Sequence, residues 1–185
     1  MGKSEKELEP KQLTMVIDAE KVMLISDKHL PEGFSLRPYK HGDEKSWIAL
    51  LNCGDFDSQW DSQRFQEYMA QDERAEGSRV ILKDEMIVAA TFASVQDSSN
   101  EVGRVDFVVS HPDFRGLGLG KVVLIEVLRC LGNKNYKTIM LYTDDWRIPA
   151  LGMYLSLGFE PEITRHDMPG RWDKIKNTLD SKSRK

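Results

Sequence analysis

A chain of 185 residues, 40% hydrophobic and 30% charged, has the composition of one globular domain and excludes a disordered, collagen-like or fibrous protein. Its net charge of −4, from 26 basic and 30 acidic side chains, carries no basic footprint for nucleic acid. The best apolar stretch, 86–95, is interrupted by Thr91 and Ser94 and falls far short of the about 20 residues that span a bilayer. Two distant cysteines, Cys53 and Cys130, and four histidines without HxxxH or HxH spacing supply no zinc set, so no metal is expected. A reduced, cytoplasmic chain is the simplest expectation. The opening MGKSEKELEPK reads as neither a secretory signal nor a myristoylation site.

Residues 1–12 read as a polar tail, and the apolar clusters 15–17 and 22–25 as an extended arm or a short helix. Alternation over 34–39 predicts a first strand. Asp43 is placed to cap a helix carrying Trp47, Ile48, Leu50 and Leu51 on one side, and Asp61 or Ser62 opens a second through Phe65, Tyr68 and Met69. Residues 78–82 and 86–95 predict a hairpin with its tip at Lys83–Glu85. A valine-rich strand follows over 101–110, then an amphipathic helix over 117–131 closed by Gly132 and Asn133. Residues 138–143 read as a strand, 149–157 as a helix ended by Gly158-Phe159, 162–168 as a last strand, and the tail from Arg171 as a short helix with Trp172, Ile175 and Leu179. This order predicts an α/β chain with a mixed, mostly antiparallel central sheet flanked by helices. The expected division is an N-terminal tail and arm over 1–33, one domain over 34–168, and a C-terminal tail over 169–185.

The chemistry concentrates in VDFVVSHPDFRGLGLGK, residues 105–121. A strand runs through His-Pro into a glycine-rich turn and then a helix. Glycines open backbone conformations closed to other residues, and the first helical N–H groups have no partner inside the helix. With the helix dipole and the Arg115 fork, these are the parts of a phosphate site. A P-loop is excluded because Arg115 and Val122 stand where glycine and Ser or Thr are needed, and GxGxxG fails at Lys121. What fits is R-x-x-G-x-G, at Arg115, Gly118 and Gly120.

That loop, together with Ala150-x-x-x-Tyr154-x-x-x-Gly158-Phe159 about 30 residues on, resembles the GCN5-related N-acetyltransferase superfamily over roughly residues 34–168. The resemblance implies the acyl-CoA N-acyltransferase fold and transfer of an acetyl group from acetyl-CoA, a co-substrate, to a primary amine, without a covalent enzyme intermediate. It implies that the strand before the loop and the strand after the helix splay apart to admit the pantetheine arm. Backbone groups of Val108, Val109 and Ser110 would pair with that arm, and an N–H near Val109 would face the thioester carbonyl. Arg115, Gly116, Leu117, Gly118, Leu119 and Gly120 would hold the pyrophosphate, and Tyr154 would act as acid toward the leaving sulfur. Arg147 stands where the family often has Asn, with a cofactor contact as its alternative use, and Ser110 stands where Val is frequent.

Other residues keep two readings. Asp106 is either an ordinary salt-bridged strand aspartate or an acidic base acting through water, consistent if it shares a strand face with Val108 and Ser110. His111 reads as a turn residue, Cys130 as core, and Asp144 or Asp145 as a helix cap or as a lure for a cationic acceptor. Acceptor specificity is expected from 43–70 and from the loops at 96–100 and 144–148, including Trp47, Trp60, Asp55, Asp57 and Asp61. Trp172 and its PGRW turn are candidates for closing the site or for a homodimer contact. Neither nucleic acid nor membrane is expected as a partner. The alternatives to an enzyme are a non-catalytic acyl-CoA sensor, or a protein-interaction subunit.

Overall fold

A computed structural model describes residues 11–56, 58–96, 102–134 and 136–183. The expectations for the 1–10 tail, Asp57, the 97–100 loop, Glu101 and the last two residues lie outside these. The chain forms two compact units, one from Val16 to Leu141 and the other joining the N-terminal residues up to Met15 with Tyr142–Lys185.

In the larger unit β2 (Phe34–Pro38), β3 (Arg79–Lys83), β4 (Met86–Val95) and β5 (Val102–Ser110) are successive antiparallel neighbours. β6 (Thr138–Thr143), which continues into the smaller unit, adds parallel to β5 from Val102↔Thr138 to Val105↔Leu141. β1 (Leu13–Asp18) follows β6 in the order, and behind it Ala19 donates its amide to Lys137 at 3.0 Å. The expected mixed, mostly antiparallel sheet with flanking helices is therefore present. The arm resolves into β1 and the four-residue helix α1 (Ala19–Val22), with Met15, Ile17 and Val22 buried.

β4 is buried from Ile87 to Ser94 because helices cover both faces, which is why its sequence is a continuous small and apolar run rather than an alternation. Against one face, α2 (Glu44–Asn52) and α3 (Ser62–Met69) contribute Trp47, Phe65 and their neighbours, with Trp47 stacked on Phe92 at 4.3 Å. Against the other, α5 (Leu119–Gly132) packs Leu119, Val122 and Val123 on Ile81, Val88 and Ala89. Between α3 and β3 lies a further helix, α4 (Asp72–Gly77), that periodicity did not indicate. Asp61 caps α3 through the Arg64 amide at 2.8 Å. Asp43 stands at the start of α2 but does not cap it: its carboxylate takes the Arg37 fork at 2.6 and 2.7 Å and the Lys40 amide at 2.9 Å.

In the smaller unit α6 (Ile148–Ser156) and α7 (Met168–Ser183) pack together, Leu179 filling the space beside Gly152. Here two expectations change. The strand expected over 162–168 is only the two-residue β7 (Glu160–Pro161): after Glu162 donates to Thr14 at 3.0 Å the chain turns, and Arg165 ties it to the Lys11 and Gln12 carbonyls. Met168 then opens a 16-residue helix in place of the short one expected. Trp172 on that helix is 2% exposed, so it is a packing residue and not a free contact surface.

Candidate active site

The geometry of β5 turns on one irregularity. β4 and β5 pair from Val95↔Gly103 to Phe92↔Asp106 and resume at Ala90↔Val109. Phe107 and Val108 thus stand opposite Thr91 alone, a β-bulge. Phe107 has φ 52°, a left-handed conformation that a bulky residue holds only when its surroundings enforce it. Those surroundings are Thr91 Oγ1, which donates to the Asp106 carbonyl at 2.9 Å, and an aromatic nest with ring centroids of Trp60 at 5.1 Å, Phe56 at 5.2 Å and Tyr68 at 5.7 Å.

The bulge decides which groups β5 presents. Beyond it Val109 packs into the aromatic core, while Val108 and Ser110 reach toward the start of α5: a Cβ added to Gly120 would lie 3.2 Å from Ser110 Oγ and 3.9 Å from Val108 Cγ1. The His111 amide donates to Val88 at 2.8 Å. Alternation along an antiparallel ladder then gives the Val109 amide to Ala90 and turns those of Val108 and Ser110 to the opposite edge. The expectation of an outward N–H at Val109 therefore moves to Val108.

After β5, His111 is the turn residue expected, its Nδ1 accepting from the Asp113 amide at 3.3 Å. A single 3-10 turn over Pro112–Phe114 leads to Gly116 and Gly118, both left-handed at φ 82° and 76°. Gly118 is the N-cap, so α5 starts at Leu119 rather than at Leu117, which is exposed. The first helical bonds run from Lys121 and Val122 to the Gly118 carbonyl. The amides before them open from the helix end, where the dipole favours an anion. Arg115 flanks this end, exposed and loosely paired with Asp55 at 3.7 Å.

The reading of the sequence missed a further cation, Lys28. Its side chain lies over Gly118, where an added Cβ would strike the ammonium group. The residues before it lie along α5: Gly132 sits beside Met23 Sδ, and Arg129 holds the Ile25 carbonyl at 3.1 Å and Asp27 at 2.5 Å. No motif marks Lys28, because only this packing carries it from the N-terminal arm to the glycine loop.

Asp106 is the salt-bridged aspartate of the two readings. Its Oδ2 accepts from Arg104 Nε and Nη2 at 3.0 and 2.9 Å and from the Tyr68 hydroxyl at 2.5 Å. It does not share a face with Val108 and Ser110, because the bulge interrupts the alternation. Burial and the adjacent Asp106 carboxylate push the Tyr68 hydroxyl pKa well above its ordinary value.

The smaller unit holds the second motif. Tyr154 is buried on α6, its ring 5.9 Å from Phe159, and Gly158 ends the helix at φ 93°. Burial pushes the Tyr154 hydroxyl up to about 12, against a smaller opposing pull from Arg147. Arg147 stands at the N-cap of α6, donates to Asp144 at 2.9 Å and lies 4.1 Å over the Trp146 ring. Asp145 is held by Arg171, which also donates to Asp167 at 3.0 Å. Neither aspartate caps α6, and each already has an arginine as its cation. Among the described residues there is no group of His, Cys, Asp and Glu that could hold a metal ion, and no helix long and apolar enough to cross a membrane.

The pattern of the acetyltransferase (GNAT) family matches residues 45–159. The chain is 30% identical over 152 residues to a mycothiol acetyltransferase of Saccharomonospora viridis, covering 71% of this chain and 47% of that protein. It is 28% identical over 167 residues to one of Pseudarthrobacter chlorophenolicus, covering 80% and 47%. It thus spans about half the length of the curated relatives it matches. Among solved structures, a GCN5-related N-acetyltransferase from Sphaerobacter thermophilus superposes with a TM-score of 0.67 at 18% identity, over 83% of this chain and 49% of that one. The ribosomal-protein-S18-alanine N-acetyltransferase of Escherichia coli does so with 0.59 at 16%, over 69% and 77%. At these identities the structures speak for the fold alone.

Proposed function

The chain belongs to the acetyltransferase (GNAT) family, and from that premise we propose that it transfers an acetyl group from acetyl-CoA to a primary amine. The observation that carries the reading is the pairing of the Phe107 bulge with the left-handed Gly118 cap. Together they set the outward amides of Val108 and Ser110 beside a helix end that is open to an anion. The residues fit the cofactor: Gly120 leaves clear the space a Cβ would fill next to Ser110, and Arg115 and Lys28 supply positive charge at the loop. In this reading the amides of Gly116, Leu117, Gly118, Leu119 and Gly120, with Arg115 and Lys28, hold the diphosphate. The backbone of Val108 and Ser110 pairs with the pantetheine amides as an added strand. Val109 contributes by packing. Arg147, engaged with Asp144 and Trp146, is assigned to the start of α6 rather than to the cofactor arm.

The acceptor nitrogen attacks the thioester carbonyl carbon, the C–N bond forms and the C–S bond breaks. The Val108 N–H stabilises the negative charge that develops on the carbonyl oxygen. The amine's surplus proton leaves to water. The sulfur departs as a thiolate that accepts a hydrogen bond from the Tyr154 hydroxyl and later takes a proton from solvent. The curated relatives are named for mycothiol, but the chain spans only half of them, and the acceptor is proposed here only as a primary amine. A thiol-release screen over amine classes, run beside a thermal melt, tests the reading. Acetyl-CoA at 100 times its Kd is expected to add about 2.7 kcal/mol to the stability. No shift with any acyl-CoA would refute cofactor binding, and a shift without turnover on any amine would favour the non-catalytic sensor.

A further inference from the structure

We infer that Tyr68, Arg104 and Asp106 form a brace that holds the left-handed bulge at Phe107 and thereby aims the Val108 amide. This rests on the reading of β5 as the strand that meets the acyl carrier. Asp106, immediately before Phe107, is tied at both ends. Its carbonyl accepts from Thr91 Oγ1 at 2.9 Å, and its Oδ2 accepts from Tyr68 and twice from Arg104 at 2.5, 3.0 and 2.9 Å. Each donor is itself fixed. Arg104 also donates to Gln96 Oε1 at 3.0 Å. The Tyr68 ring lies under the Arg74 guanidinium at 3.6 Å, and Arg74 in turn donates to the Tyr68 carbonyl at 2.5 Å and to Ser94.

Two separate elements, α3 and β5, are thus joined through one carboxylate oxygen one residue from the strained φ. A left-handed phenylalanine persists only where its neighbours over-determine it. The aromatic nest fixes the Phe107 ring, whereas the brace fixes the peptide before it. Rotation of that peptide would carry Val108 with it. Tyr68, Arg104 and Asp106 are accordingly positioning residues, acting through the backbone and not on substrate.

The test begins with Tyr68→Phe, which removes one hydroxyl and keeps the ring on which Arg74 and Phe92 pack. In the full-length protein kcat is expected to fall about 10-fold, with the KM for acetyl-CoA changed by less than about threefold, as for a transition-state donor displaced by a fraction of an ångström. Hydrogen exchange at the Val109 amide, which the ladder gives to Ala90 directly beyond the bulge, is expected to speed up when followed by NMR, while amides of β3 and α5 keep their rates. Asp106→Asn should lower kcat further and leave the shape of the pH–rate profile unchanged. Wild-type kcat and wild-type Val109 exchange in Tyr68→Phe would overturn the brace. So would a limb of the pH profile that disappears in Asp106→Asn while Tyr68→Phe stays fully active, since Asp106 would then be a base. If the wild-type protein turns over no amine, the proposed activity fails, and Val109 exchange in Tyr68→Phe still decides the brace by itself.

Discussion

Replacing Tyr154 by Phe isolates one atom. The ring keeps its place against Phe159, 5.9 Å away, and because the buried hydroxyl is shifted by burial and by Arg147 alone, its removal breaks no hydrogen bond among the described residues and should leave the stability nearly unchanged. Tm is therefore expected to stay within about 2 °C of wild type. The catalytic cost follows from the hydroxyl's acidity. Burial pushes its pKa up to about 12, so at pH 8 only about one Tyr154 in 10⁴ is ionised, and the group is a reliable donor. The same value limits what it can do. A thiol is ordinarily more acidic than this, so full proton transfer from Tyr154 to the thiolate is disfavoured. The hydroxyl is therefore expected to stabilise the leaving thiolate by a hydrogen bond, with the proton arriving later from solvent. One such donor to developing charge contributes about 10²–10³ in rate. Steady-state and single-turnover assays of Tyr154→Phe should show kcat down by about that factor, and the Kd for acetyl-CoA within about threefold of wild type. The wild-type pH–kcat profile should show no limb from this group below about pH 10. A variant that turns over within threefold of wild type, with the chemical step shown to be rate-limiting, would refute the assignment and leave Tyr154 as a packed helix residue.

Three further outcomes are expected. Gly118→Val places a β-branched residue at φ 76° under Lys28; the left-handed strain alone costs about 1–2 kcal/mol, and calorimetry should show acetyl-CoA affinity reduced at least about 10-fold in protein that still folds. Unchanged affinity would mean that the loop is only a turn. Lys28→Gln should weaken acetyl-CoA binding and flatten its dependence on salt, as expected when a charge facing phosphate is lost; titrations across ionic strengths measure this, and tighter binding would mean that Lys28 blocks the site. Burial pushes the Asp43 carboxyl up, but the Arg37 fork and the Lys40 amide outweigh it and hold its pKa below the ordinary value. A depressed folded-state pKa stabilises the fold above the unfolded value of about 4 and is lost as pH falls through the folded one. Melts from pH 6 downward should therefore show part of the acid destabilisation absent in Arg37→Gln, whose Asp43 has lost that fork.

Some of this protein was legible because its signals are local. The β3–β4 hairpin turns at Asp84, a non-glycine residue at φ 56°, and the flanking β-rich runs announce it. The Arg115–Gly120 loop and the Ala150–Phe159 segment are short patterns whose geometry is set within a few residues by glycine and by helix ends. The helices α2 and α3 and the buried run of β4 follow from hydrophobic spacing in the same way. Other features depend on contacts between residues far apart in the chain, and no window of sequence contains them. The bulge exists only in the register of β5 against β4, where two residues face Thr91, and it moved the outward amide from Val109 to Val108. A side-chain alternation written along one strand cannot show it, because a single extra residue flips every side chain beyond it. Lys28 and the Tyr68–Asp106 bond join positions 90 and 38 residues apart, and the two-residue β7 took its length from where Glu162 meets Thr14. Local backbone preference selected the turns and helix ends. Packing of distant segments decided which backbone amides and which cations those turns and helix ends would present.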